Sequence, residues 1–188
     1  MKKLIPISFG TAISSLVLIA RAGGESLPPG QVDFGKFNPP GAGAEFVEVN
    51  VGSNLISLAA SLLQKEEPDV AQLLNGLQLV HVNVIGLNED NRNELEKRSQ
   101  KLRQELDSNG WERIVSAQNR DQDVGIYLKT QGKDTVQGLV VVVMEGNRQI
   151  VFVNVVGNIK PEQLALLGDR LHIDPLKKLG DATQKSGK

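Results

Sequence analysis

Two histidines, His81 and His172, and no cysteine bound what this chain can do chemically. A zinc centre needs four ligands drawn from nitrogen, sulfur and carboxylate donors, and His172-Ile173-Asp174 offers a pair at best. That pair falls where a last helix is expected to end, and a histidine there already has a favourable partner in the helix dipole. His81 sits on the polar side of an alternating run and reads as a strand residue. Asn119, Asp121 and Asp123 alternate as at the start of a calcium loop. Val124, however, stands where such a loop needs glycine, and Thr130 where it needs a bidentate glutamate. A hairpin turn accounts for the same residues. The carboxylate pairs Glu66-Glu67 and Glu89-Asp90 lie at helix ends, where the dipole and solvent account for them. The sequence has no nucleophile-elbow serine, phosphate-cradling glycine loop or dinucleotide fingerprint. No catalytic, cofactor-binding or metal-ligating residue is assigned, no cofactor is implied, and the chain is read as a non-enzyme.

Four aromatic residues are the candidate surface or ligand contacts. Trp111, the only tryptophan, follows a helix stop; it reads as a stacking platform or as the ring that closes a helix-strand corner. Tyr127 lies on the strand face opposite Val124, Ile126 and Leu128, exposed or covered by another segment. Phe34 and Phe37 are the large apolar groups of an otherwise Gly/Pro-rich stretch, residues 23–44, which contains Pro28-Pro29-Gly30 and Pro39-Pro40-Gly41. Such a stretch is a linker or extended arm, and the two rings are placed to pin it to the body.

The elements that must position these residues follow from periodicity. Val47, Val49 and Val51 alternate with Glu48 and Asn50, which is a strand over 45–51. Ser53 is read as the N-cap of a helix carrying Leu55, Ile56, Ala59, Leu62 and Leu63, stopped by Pro68, and a short helix follows over 69–75. A second strand runs 77–85. Asn88 caps a long helix with Arg92/Glu96 and Glu94/Arg98 pairs, a narrow Leu95, Leu102, Leu106 stripe and an Asn109-Gly110 stop. Strands over 111–117, 124–130, 136–144 and 149–156 are joined by short turns, as in an antiparallel meander. Leu139 to Met144 is apolar on both faces, the mark of a central strand covered by helices on one side and a second layer on the other. A last helix begins near Lys160-Pro161-Glu162. The fold class is therefore α+β: a mostly antiparallel sheet of about six strands with helices packed on one face, a layered sandwich.

Composition sets the address. Met1-Lys2-Lys3, an apolar run from Leu4 to Ile19, and small residues at Ala20 and Ala22 form a signal peptide over 1–22, with cleavage expected after Ala22. Pro6, Gly10 and Ser14 break that run, so it falls short of the roughly 20 apolar residues of a membrane span. The rest is read as the arm over 23–44, a single domain over 45–175 and a flexible tail over 176–188. Lys2, Lys3 and Arg21 take three of the 21 basic residues, leaving 18 against 22 acidic ones. A net −4 gives no basic footprint for nucleic acid. The expected product is exported, periplasmic or extracellular, and not membrane-spanning after cleavage. It has no cysteine for a lipid anchor or disulfide, and its oligomeric state is open.

Val32-Asp33-Phe34-Gly35, Glu45-Phe46-Val47-Glu48-Val49, Gly110-Trp111-Glu112, Gly138-Leu139-Val140-Val141 and Val153 to Ile159 together resemble an exported bacterial family, domain of unknown function 4252. The likeness runs from about Val32 to Ile173. It implies an envelope or secreted protein of unassigned activity and transfers no catalytic residue. It also implies neighbours among extracytoplasmic sigma-factor and anti-sigma genes, and so an anti-sigma-type regulator as partner. The reading that results is a binding or interaction module of the cell envelope. The alternative is a small-molecule or lipid-binding protein with a pocket between sheet and helices.

Overall fold

The computed structural model describes residues 27–41, 43–132, 135–160 and 163–170. Residues 1–22, with the cleavage positions Ala20 and Ala22, His172 and the tail lie outside the described residues.

Six strands, β1 (Phe46–Gly52), β2 (Leu77–Gly86), β3 (Glu112–Gln118), β4 (Gln122–Gln131), β5 (Thr135–Glu145) and β6 (Gln149–Ile159), form one antiparallel sheet in the order β1-β2-β6-β5-β4-β3. β3 to β6 are the expected meander, and β5 and β6 occupy the centre because their Val-rich runs bury both faces. Among the described residues four helices complete the α+β fold: α1 (Ser53–Leu63), α2 (Pro68–Gly76), α3 (Arg92–Ser108) and α4 (Gln163–Arg170). Ser53 is the first residue of α1 rather than its cap, which is Gly52 in extended conformation.

The strand period splits the core in two. On one face Val51, Val80, Val155, Leu139 and Leu128 form a cross-strand row, flanked by Val49, Val82, Val153, Val141 and Ile126. Ile56 of α1, Leu73 of α2, and Leu164 and Leu167 of α4 pack on this side. The opposite face presents Ile85, Ile150, Phe152, Val142, Val140 and Tyr127 to Leu95, Leu102 and Leu106 of α3. Helices therefore cover both faces of the sheet, which corrects the expectation of one helical face. The narrow α3 stripe covers only part of its side, and the rest of that side is covered by the arm, whose Phe34 is buried in the same cluster.

The arm, 27–41, is docked. Asn154, fully buried on β6, receives a hydrogen bond from the Val32 N–H (2.9 Å) and donates to the carbonyls of Gly30 (2.9 Å) and Leu139 (3.2 Å). Gly30 has φ +86°, and a Cβ there would lie 2.1 Å from the Gln137 carbonyl oxygen, so the arm backbone sits directly on β5. Arg98 does not take the expected pairing with Glu94. Its guanidinium donates to the carbonyls of Phe34 and of Lys36 (3.0 Å for the latter) and lies 4.0 Å above the Phe37 ring. The Arg92–Glu96 pair does form, at 3.5 Å.

Candidate functional site

The fold places the four aromatic candidates in packing roles. Phe34 lies between the rings of His81 and Phe152, each 5.5 Å away, and Phe37 stacks on Phe152 at 5.2 Å. Phe34 and Tyr127 are buried, Phe34 in the lining of a groove between the arm and α3. Tyr127 lies under α3 and between two arginines. Burial pushes its phenol above the ordinary value, while the Arg113 and Arg103 charges pull the other way. Its hydroxyl lies beside the Arg113 guanidinium without a well-formed hydrogen bond. Arg113, hydrogen-bonded to Asp107, is held above arginine's ordinary value. Trp111 closes the helix-strand corner: its N–H donates to Leu106 (3.2 Å), and its ring covers Gly138 so closely that a Cβ there would sit 2.6 Å from Cη2. Phe37 and Trp111 are half-buried against the same cluster.

The polar candidates are likewise engaged. His81 Nε2 lies 2.9 Å from Asn83 Nδ2 and 3.8 Å from Glu48 Oε1, under the Phe34 ring. Asn119 Oδ1 accepts from the N–H groups of Asp121 and Gln122, both at 2.8 Å, and so closes the β3–β4 turn.

Sequence reasoning did not single out two surface features. The first is a groove of about 390 Å³ between α3 and the β3–β4 and β5–β6 turns, lined by Arg92, Glu96, Arg103, Arg120 and Asp123 among others. Arg92 pairs with Glu96, and Arg103 with Asp123 at 3.1 Å. Two of the three guanidiniums are thus neutralised by their own neighbours, which leaves little field for an anion. Three further cavities, about 250–400 Å³, lie where the arm meets α3, and one of them reaches Phe152 of the sheet.

The second feature is apolar. On α1, Leu55, Leu58 and Leu62 are 60%, 58% and 73% exposed, and Val47 and Val49 of β1 are 39% and 38% exposed. At i, i+3 and i+7 the three leucines share one stripe, whereas Ile56 and Ala60 face inward. The signal was present in the sequence: α1 is apolar around more than one face, more than one contact can bury.

The family model described as Domain of unknown function (DUF4252) matches residues 42–167. The chain belongs to this family. The matched segment of DUF4252 holds the whole sheet and α1 to α3, including the leucine stripe, while the Val32–Gly35 motif and most of the arm lie ahead of it. No curated protein and no solved structure matches the chain. Among the described residues, no helix is long and apolar enough to cross a membrane.

Proposed function

We propose that this DUF4252 chain is an exported, non-enzymatic interaction module of the cell envelope, and that a protein partner docks on the surface formed by α1 and the β1 edge. The observation that carries the reading is the exposed Leu55, Leu58, Leu62 stripe beside Val47 and Val49. Burying a leucine is worth about 1.5–3 kcal/mol. A folded chain that leaves three of them on one helix, next to an open strand edge, has the composition of an interface core. The polar groove and the enclosed His81 offer no comparable case for catalysis, and export rests on the amino-terminal sequence pattern.

The test places a photo-crosslinking amino acid at Leu58 in the full chain within its native envelope. Protein adducts from position 58 are expected well above those from Gln72, an exposed position on α2. Equal, low yields from both positions refute the surface.

A further inference from the structure

We infer that the partner at this surface is a second copy of the chain, joined edge to edge through β1 about a twofold axis at Val49. This rests on the reading that α1 and β1 form a docking surface, and it names the occupant.

The first argument is the state of the two sheet edges. Natural edge strands are blunted by lysine, proline or a bulge. β3, at one edge, carries Arg113 and a register break between Arg113 and Val115. β1, at the other, pairs with β2 through seven residues without a break and contains no Lys, Arg or Pro. Its outward backbone is unbroken in register and, Glu48 aside, carries no guarding side chain, and no other strand pairs with it among the described residues.

The second argument is register. The Gly86 N–H donates to the Glu45 carbonyl at 2.7 Å, which makes that opposed pair a hydrogen-bonded one. Alternation then turns the backbone groups of Val47, Val49 and Val51 toward β2 and those of Phe46, Glu48 and Asn50 outward. Antiparallel pairing of two β1 strands must oppose outward residue to outward residue. Centred on Val49, it sets Glu48 opposite Asn50 of the second copy, Val47 opposite Val51, and Val49 opposite itself. A two-residue slip one way would oppose Glu48 to Glu48, like charge on like charge. A one-residue slip would turn the valines to the wrong face. The slip the other way, centred on Asn50, opposes Val49 to Val51 but pairs Asn50 with itself and leaves Val47 beyond the end of the partner strand. The register centred on Val49 alone pairs all three valines with valines.

The third argument is the helix. α1 packs on both β1 and β2. With strands about 4.8 Å apart, a helix seated between them stands about 5 Å from the axis. Two such helices would stand about 10 Å apart, which is helix-packing distance. The leucine stripe is centred about 130° round α1 from Ile56, at about 100° per residue, on a flank rather than the outer back of the helix, and the inferred dimer requires this flank to face the axis. One contact would extend the sheet to twelve strands, cover Val47 and Val49, and bury the stripe.

The chain has no cysteine, so single-cysteine variants report register cleanly. In the inferred pairing the Cα atoms of position 49 in the two copies stand about 4.5 Å apart, as in a non-hydrogen-bonded pair, within disulfide reach. Those of position 47 stand about 14 Å apart. The full chain should sediment at twice its own mass. Val49→Cys should give a disulfide-linked dimer under mild oxidation, and Val47→Cys should not. Val49→Lys should sediment as a folded monomer, with circular dichroism confirming the fold. A dimer in which positions 47 and 49 crosslink alike, or neither does, overturns the β1 register. A chain that is monomeric at tens of micromolar overturns the second copy as occupant. In that case the Leu58 crosslinker decides the broader reading: adducts to a different envelope protein leave the docking surface standing, and no adducts remove both.

Discussion

Replacing Gly30 by alanine should unlatch the arm while leaving the sheet folded. A Cβ at Gly30 would stand 2.1 Å from the Gln137 carbonyl oxygen and 2.9 Å from Gly138 Cα, both backbone atoms of the central strand β5 that cannot give way. The arm must lift. Lifting exposes Phe34, about 1.5–3 kcal/mol of burial, and breaks the hydrogen bonds of Asn154 to Val32 and Gly30, about 1 kcal/mol each. The loss expected in denaturant unfolding is therefore about 3.5–5 kcal/mol. Gly43→Ala is the control: φ is also positive, +97°, but nothing lies within 4 Å of the new Cβ, so only the backbone penalty of about 1–2 kcal/mol applies. The assay pairs denaturation with hydrogen exchange at the Val32 amide and tryptic cleavage after Lys36, both of which should accelerate in Gly30→Ala alone. If Gly30→Ala and Gly43→Ala lose equal stability and the Val32 amide stays protected in both, close arm-sheet contact is not what requires glycine at position 30.

Tyr127→Phe should be close to neutral at pH 7, because it removes a buried hydroxyl that makes no well-formed hydrogen bond with its neighbour Arg113. The wild type should lose stability as pH rises through about 10 toward the higher folded pKa of Tyr127. In that window the unfolded phenol ionises while the buried one stays protonated; thermal unfolding against pH should show this slope reduced in Tyr127→Phe. Arg98→Ala should cost about 1–3 kcal/mol, since it removes the donors to the Phe34 and Lys36 carbonyls and the cation over Phe37. Arg98→Lys should recover only part of it, because an ammonium lacks the planar fork; equal unfolding midpoints for the two variants would contradict this.

Strand and helix positions were legible because the chain switches cleanly between period two and helical spacing, and Pro68, Asn109-Gly110 and the turn triplets punctuate it. Long-range choices were less so. Glu94 sits four residues before Arg98 and invites an intrahelical pair, yet unbonded arm carbonyls are stronger competitors for a guanidinium at the helix surface. The double-faced apolar run of β5 signalled two covering layers but not that α1, α2 and α4 make one of them, since their apolar faces carry no address. The spacing of α1 shows more apolar surface than one contact can bury; which leucines stay exposed is set by where the helix lies at the sheet edge.

A clearer signal for the arm lies in the strands. β1, β2 and β6 place Asn50, His81 and Asn154 in one cross-strand row, on the face opposite their valines, whereas β5 and β4 continue that row with Val140 and Tyr127. A helix needs no partners for its mid-chain backbone, but an irregular arm does. A polar row on an otherwise apolar sheet therefore marks where irregular backbone lies. Asn154→Val tests the argument, because valine suits a central strand better than asparagine and can only help the sheet itself. Stability should nevertheless fall by about 2–4 kcal/mol, the Val32 N–H and Gly30 carbonyl being left unpaired. Exchange at Val32 should rise while β5 and β6 amides stay protected. A variant as stable as wild type with a protected Val32 amide would mean that the arm is held by Phe34 and Arg98 alone, and that the polar row has no such role.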